Sequence, residues 1–516
     1  MVESGDYLVP RYRGEPFFDK PPLAYWLMAG SFRVFGFTLE AARLVPVLSA
    51  LALLATTAWL GRLVFDRATG VVAAAVLAST LLFLTFGRVA MADMLLALWT
   101  TVAVALAIAA ESANDRRRLI AIALGVVLGL GFMTKGPIAL LLAGLGILSW
   151  AWYARRLPLR GSEIGFAAAA FATSGLAWFA LVYRRLGLEP LEYFFLRENL
   201  ERFAGETYDA GRSPAYYVGA YLAVGLPWSL LFPRAAIRLP RGERTVLVWL
   251  LLMAVPLSLA RGKIDYYLLP LAPALSLVVA RFLVAREWSI ADRRWARAAS
   301  AIFAAGILLV PMATLRVPLE WLPGAGAQVA LVAITVVVAV ASVAAAARPT
   351  PARIAAALGG GTAAVFGVLA VFFLPAFRAA QPNHAMTQDV LRERQYRPDA
   401  AVVMCSDPAR VQRDLLFDAR IVVLERCDLW ALASSPQPFL FVLGPDETQS
   451  LLPQLRPVAG YVALPATALT LSGVVAGVRP QTLALVANFE TGDPVAEVKR
   501  KKDRKRVLRD GEASVD

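Results

Sequence analysis

Long apolar stretches follow one another from residue 40 to residue 374, separated by short polar connections. They cover 40–65, 69–86, 93–111, 119–134, 136–153 and 163–183. After a polar interval at 184–213 come 214–232, 244–260, 265–285, 298–314, 327–346 and 353–374. Most approach the roughly 20 residues an α-helix needs to cross hydrocarbon, so the pattern predicts about twelve transmembrane helices. The 119–134 stretch is short. Arg116, Arg117 and Arg118 precede it, and Arg155 and Arg156 follow 136–153. Two crossings hinged at Lys135-Gly136-Pro137 keep both basic ends on one side, which a single long helix would not.

The flanks read differently. Residues 1–39 are mixed, and Met1-Val-Glu-Ser-Gly-Asp6 lacks the basic start and apolar run of a secretory signal. From Pro22 to Phe35 the apolar and aromatic positions recur with helical spacing, the mark of a helix lying in the membrane interface. Beyond residue 375, Ala400–Met404, Arg420–Leu424, Phe439–Leu443 and Thr482–Val486 read as short buried strands. With helical or turn material between them they predict a small α/β domain over 376–498. A tail over 499–516 follows, with eight basic and two acidic residues between Lys499 and Asp510, expected to be disordered.

Composition fits this reading: 58% of the 516 residues are hydrophobic and 17% charged, against about 25% charged in soluble proteins. A soluble enzyme, a disordered chain and a small disulfide scaffold are excluded. The net charge of +14 would suggest nucleic acid in a soluble protein, but its placement here argues otherwise. With twelve spans, one set of connections holds Arg62, Arg67, Arg116–Arg118, Arg155, Arg156, Arg160, Arg234, Arg238, Arg241, Arg244, Arg286, Arg293, Arg294, Arg297, Arg348 and Arg353. The opposite short connections hold Arg88, Lys135, Arg261, Lys263 and Arg316. The arginine-rich side is expected to be cytoplasmic. Residues 1–39, the 184–213 loop and the C-terminal domain then lie outside, and nucleic acid is not a partner.

Candidate chemistry gathers on that outer side. Asp19 and Lys20 open the interfacial segment, Asp93 and Lys135 stand at span ends, and Arg261-Gly-Lys-Ile-Asp-Tyr-Tyr267 precedes another span. Taken singly, each reads either as an interfacial anchor or as part of a site. Together Lys20, Lys135, Arg261 and Lys263 place four cations where the charge bias should deplete them. That predicts an anion, most naturally a phosphate at headgroup depth. Asp19 and Asp93 are the carboxylates available to hold a metal or take a proton from an acceptor hydroxyl. Gly129–Gly136 fails as a phosphate loop, because the lysine precedes the glycine and no hydroxyl follows. His384 is the one histidine, too little for a histidine-based metal site. Cys405 and Cys427 each follow a predicted strand on the oxidising side, and a disulfide and two buried thiols both stay open.

Ser4–Pro10, Phe18-Asp-Lys-Pro-Pro22, Met133-Thr-Lys-Gly136, Phe194–Phe203, Gly225-Leu-Pro-Trp228 and Ala260–Pro270 fall in order across the first half of the chain. In type and spacing they resemble the bacterial aminoarabinose transferase family, which is related to the protein O-mannosyltransferases within the GT-C superfamily. The resemblance implies a GT-C-like polytopic fold with a small periplasmic C-terminal domain, in the bacterial inner membrane. It implies transfer of a sugar from a polyprenyl-phosphate donor to a lipid, glycan or protein acceptor on the periplasmic face. Carried over by residue, Lys20 would bind the donor phosphate, with Lys135, Arg202 and Lys263 as companions. Tyr267 would flank the pocket, and Asp93 would be the second acidic residue of the site.

Two departures accompany the resemblance. Family members carry an earlier helix and an acidic pair that supplies the main catalytic aspartate, and both are absent before Ser4. A start placed at an internal methionine is expected, with a truncated and inactive protein as the alternative. Asn199 stands where the family tends to have a histidine, so a divalent metal held by Asp19 and Asn199 would be weakly bound. The competing functional class is a transporter or flippase for a lipid-linked or anionic substrate, which twelve spans would suit. Against it, the charges cluster at span ends and the two halves show no repeat.

Overall fold

The computed structural model describes residues 1–376 other than 3, 13–14, 114, 202–211, 261 and 316–321. Beyond these it describes 389–390, 392–393, 399–404, 422–423, 432–435, 437–443, 455–463 and 481–487. The chain divides into one unit of Met1–Leu308 with Ile334–Phe366 and another of Leu309–Ala333 with Gly367–Asp516.

The first unit opens on a short antiparallel pair, β1 (Arg11–Tyr12) and β2 (Glu15–Pro16), followed by α1 (Leu23–Phe35). Then come α2 (Leu39–Val64), α3 (Arg67–Ala78), α4 (Leu81–Phe86), α5 (Asp93–Ser112), α6 (Arg117–Lys135) and α7 (Pro137–Ala154). Among the described residues nine helices are long and apolar enough to cross a membrane. They are α2, α5, α6, α7, Ser162–Leu186, Asp265–Leu283, Ile290–Thr314, Ala325–Ala347 and Pro351–Ala376.

The twelve expected spans thus resolve into these nine, two shorter apolar helices and one broken segment. The 69–86 stretch divides because Thr80 caps α4, its hydroxyl accepting from the Phe83 N–H. The 244–260 stretch forms Thr245–Leu259, only 15 residues long. The 214–232 stretch breaks at Gly225-Leu-Pro227, where proline offers no N–H, into Tyr216–Val224, a turn at Trp228–Leu230 and Phe232–Arg238. The hinge at Gly136 divides α6 from α7, and its φ of 70° suits glycine. The polar interval 184–213 is helical in part, holding Glu189–Glu192 and a π-helical segment Tyr193–Glu201.

Burial separates the centre of the bundle from its lipid-facing rim. In their apolar windows α5 is 78% and Asp265–Leu283 83% buried, whereas Ile290–Thr314 is 28% buried. Rim helices expose large apolar side chains, as Ala325–Ala347 does with Val332, Val336, Val340 and Val343, a lipid-facing pattern. The Ser162–Leu186 helix crosses α6 closely because small residues meet there. A Cβ on Gly125 would lie 2.1 Å from the Ala167 carbonyl oxygen, and one on Gly129 2.0 Å from Ser174 Oγ.

The second unit holds a five-stranded sheet of β3 (Ala401–Met404), β4 (Val422–Val423), β5 (Phe439–Leu443), β6 (Arg456–Ala463) and β7 (Gln481–Ala487). Its order is β4-β3-β5-β7-β6, with β3 parallel to β4 and β5, and β7 antiparallel to β5 and β6. Val402, Leu440, Phe441 and Leu485 are buried in it. Sequence reading missed β6, whose Pro457, Ala459 and Gly460 dilute the apolar run and whose register shifts between Pro457 and Ala459. His384, Cys405, Cys427 and the 499–516 tail lie outside the described residues.

Candidate functional site

Asp93 is the first residue of α5 and Lys135 the last of α6. An acid at a helix N-terminus and a base at a C-terminus both suit the helix macrodipole. Lys135 Nζ donates to Asp93 Oδ1 at 2.5 Å, with the two side chains 17% and 4% exposed. One residue earlier, Trp99 Nε1 of α5 donates to Thr134 Oγ1 at 3.1 Å, fixing the two helix ends together. The Lys135 ammonium also sits 4.5 Å from the centre of the Tyr267 ring, in cation–π geometry. Tyr267 lies in the 3-10 turn Asp265–Leu271 that starts its helix. The two most buried helices of the bundle therefore deliver Asp93 and Tyr267, and Lys135 touches both.

The segment bearing Asp19 and Lys20 is held against the same helix ends. Phe18 and Leu23 share a core with Phe132, Met133, Trp178, Phe179 and Phe194, and Ala24 packs with Ala92 and Leu95. Phe194 also fills the space beside Gly136, where a Cβ would meet its ring at 2.5 Å. From the same π-helical segment, the Tyr193 hydroxyl donates to Asp19 Oδ1 at 3.0 Å, with Glu198 Oε1 3.5 Å away. Burial, then the hydrogen bond to Asp19 and its charge, push the Tyr193 hydroxyl pKa up to about 12. Lys20 is half-buried beside Asp19.

Three sequence expectations fare differently. Asn199 donates to the Phe194 carbonyl of its own segment at 2.7 Å, and Tyr193 meets Asp19 instead. The Asn199 amide N–H and Asp19 Oδ1 are thus each engaged with another partner. No three His, Cys, Asp or Glu side chains gather as a metal site among the described residues. Lys263 is 5% exposed, and its ammonium donates to the carbonyls of Ala260 (2.5 Å) and Arg212 (3.2 Å). Arg212 returns a bond to the Lys263 carbonyl at 2.6 Å, so the pair clamps two stretches of chain. Two of the three N–H bonds of its ammonium therefore go to backbone. Arg212 also donates to the Tyr216 hydroxyl at 2.9 Å, and that hydroxyl bonds Asp265. Arg202 and Arg261 lie outside the described residues.

The far ends of the same helices carry arginines of another kind. Arg117 makes two bonds to Glu163, at 2.7 and 3.0 Å, and Arg281 two to Glu243, both at 2.7 Å. Arg234 and Arg238 converge on the fully buried Asp292, and Arg156 reaches Glu111 at 3.4 Å. At about 1.5 Å per residue, α6 holds Arg117 and Lys135 roughly 27 Å apart.

A bundle of membrane-length helices with a buried acid–lysine–tyrosine cluster at one end defines a polytopic membrane protein of the GT-C fold. ArnT from Cupriavidus metallidurans, solved bound to undecaprenyl phosphate, matches it with a TM-score of 0.74, covering 96% of this chain and 92% of that one at 21% identity. Residues 19–178 match the family model described as dolichyl-phosphate-mannose-protein mannosyltransferase. The undecaprenyl phosphate-alpha-4-amino-4-deoxy-L-arabinose arabinosyl transferase 1 of Sodalis glossinidius is 35% identical over 296 residues, 55% of this chain and 52% of its own length. The enzyme of that name in Pseudomonas aeruginosa is 33% identical over 304 residues, 55% of this chain and 53% of its own. In sequence this chain is similar to these aminoarabinose transferases, and it spans about half the length of the relatives it matches. The comparisons lend no support to a transporter.

Proposed function

We propose that this protein transfers a sugar from a polyprenyl-phosphate donor to a hydroxyl or amine of a lipid, glycan or protein acceptor. The observation that carries the reading is the meeting of Asp93, Lys135 and Tyr267 where two central helices begin and α6 ends. A lipid-linked donor keeps its tail in the bilayer and its phosphate at headgroup depth, the level of a helix end. In this reading Lys135 and Lys20 take the phosphate oxygens and stabilise the charge that grows on them as the sugar–oxygen bond breaks. The acceptor oxygen or nitrogen forms the new bond to the sugar carbon, and its proton passes to the Asp93 carboxylate. Tyr267 and Asp93 together hold the Lys135 ammonium in position. The arginine-rich end then faces the cytoplasm and this cluster the periplasm, as the charge bias requires.

The test uses purified full-length protein in nanodiscs with a panel of polyprenyl-phosphate sugars and acceptor lipids. Release of polyprenyl phosphate and mass gain on one acceptor class are expected for one donor. Folded protein that consumes none of the donors, while the Pseudomonas aeruginosa relative does so alongside, would overturn the proposal.

A further inference from the structure

We infer that the arginine-rich end of the bundle holds a site for the phosphate headgroup of an anionic phospholipid. A cavity of about 680 Å³ opens there, within the range of small-ligand pockets. Its charged lining is Arg238, Arg281 and Arg286 against the one carboxylate of Asp66, and Leu239 and Phe282 are among its apolar walls. With the carboxylates that hold them counted, Arg234, Arg238, Arg281 and Arg286 stand against Asp66, Glu243 and Asp292, an excess of one positive charge.

The three arginines are prepared for such a ligand to different degrees. Arg281 is held by two bonds to Glu243 and lies 3.6 Å from Asp66, so its position is fixed before any ligand arrives. Arg238 reaches Asp292 through Nε at 3.2 Å. Arg286 is exposed and has no side-chain partner among the described residues. A planar guanidinium with unspent N–H groups matches phosphate oxygens in pairs.

Two features favour a lipid over a soluble anion. The cavity lies at the end of a membrane-length helix: Arg281 is 14 residues along from Tyr267, roughly 21 Å, and so at the opposite membrane face from the Asp93–Lys135 cluster. Next to the lining Arg238 in sequence, Ile237 is 65% exposed, and four residues past Arg286, Ile290 is 72% exposed, apolar surface suited to acyl chains. Basic pockets between helices at the cytoplasmic face are a recurrent way to seat anionic headgroups.

The test is native mass spectrometry of the purified full chain, titrated with phosphatidylglycerol, phosphatidylethanolamine and phosphatidylcholine. Phosphatidylglycerol should be retained in preference to the other two, and Arg286→Gln should weaken its binding about fivefold. Arg353→Gln, in the first turn of the Pro351–Ala376 helix, should bind like the parent. Melting curves should show both variants folded, and millimolar inorganic phosphate should not displace the lipid. Equal retention of all three lipids, or an equal loss in Arg353→Gln, would refute the site. Displacement by inorganic phosphate would mean a soluble anion is the ligand and overturn the lipid assignment. Because the readout is lipid binding, it is independent of sugar transfer.

Discussion

The two ends of the helix bundle are both built around cations, yet they use them in opposite ways. At one end Arg117, Arg234 and Arg281 each meet a carboxylate at 2.7 Å, mostly in forked geometry, and tie loops together. At the other, Lys135 is shared between one buried carboxylate and the face of an aromatic ring, and Lys263 spends its charge on backbone carbonyls. The lesson concerns what a positive charge is for. In the proposed reading, guanidinium forks fixed by acids serve architecture, whereas the point charge between Asp93 and Tyr267 serves the transfer.

Substitutions should separate the ends. Asp93→Asn should lower donor turnover per folded molecule by about a thousandfold, the range for loss of a positioned proton acceptor, beyond the roughly 3 kcal/mol of stability that removing one partner of a buried pair costs. A donor-consumption assay beside a melting curve checks both; retained turnover would place the base elsewhere. At the opposite end, Asp292→Ala strips the shared carboxylate from Arg234 and Arg238, and stability should fall by about 3 kcal/mol. Turnover per folded molecule should hold. If turnover instead collapsed without a loss of stability, the division of labour between the ends would fail.

The smallest effect is on pH. The Tyr193 hydroxyl has its pKa raised to about 12, above the ordinary 10 of an unfolded chain. The contribution of its bond to Asp19 is therefore complete below pH 10 and is lost as pH rises through about 12. In melting curves Tyr193→Phe should flatten the stability decline across that window. An unchanged decline would mean that another group is responsible.

Much of this division was legible in the sequence, because charge placement and apolar length are local properties. Asp93 and Lys135 were visible as charges at the ends of apolar runs, and the Gly136 hinge followed from the basic residues flanking both runs. Contacts that depend on a third dimension were not. Tyr193 lay in an interval read as loop, and its reach to Asp19 depends on Phe194 packing against Phe179 and Gly136. The aromatic run Tyr193-Phe-Phe195 was the available signal, since adjacent rings in a polar interval need something to bury them. The backbone contacts of Lys263 were hidden for a related reason: a lysine in a motif looks the same whether or not its ammonium meets two carbonyls. The breaks at Thr80 and Pro227 were not legible, because hydropathy alone joins the runs on either side of them.

Direct binding of undecaprenyl phosphate tests the central claim most sharply. Titrated into the purified full-length protein, it should bind the parent and Arg156→Gln equally, since that exposed pair with Glu111 contributes little. Lys20→Ala and Lys135→Met should each weaken binding at least about tenfold, the scale of one lost charge-assisted contact. Binding lost in Arg156→Gln but kept in both lysine variants would place the phosphate at the other end and contradict the account.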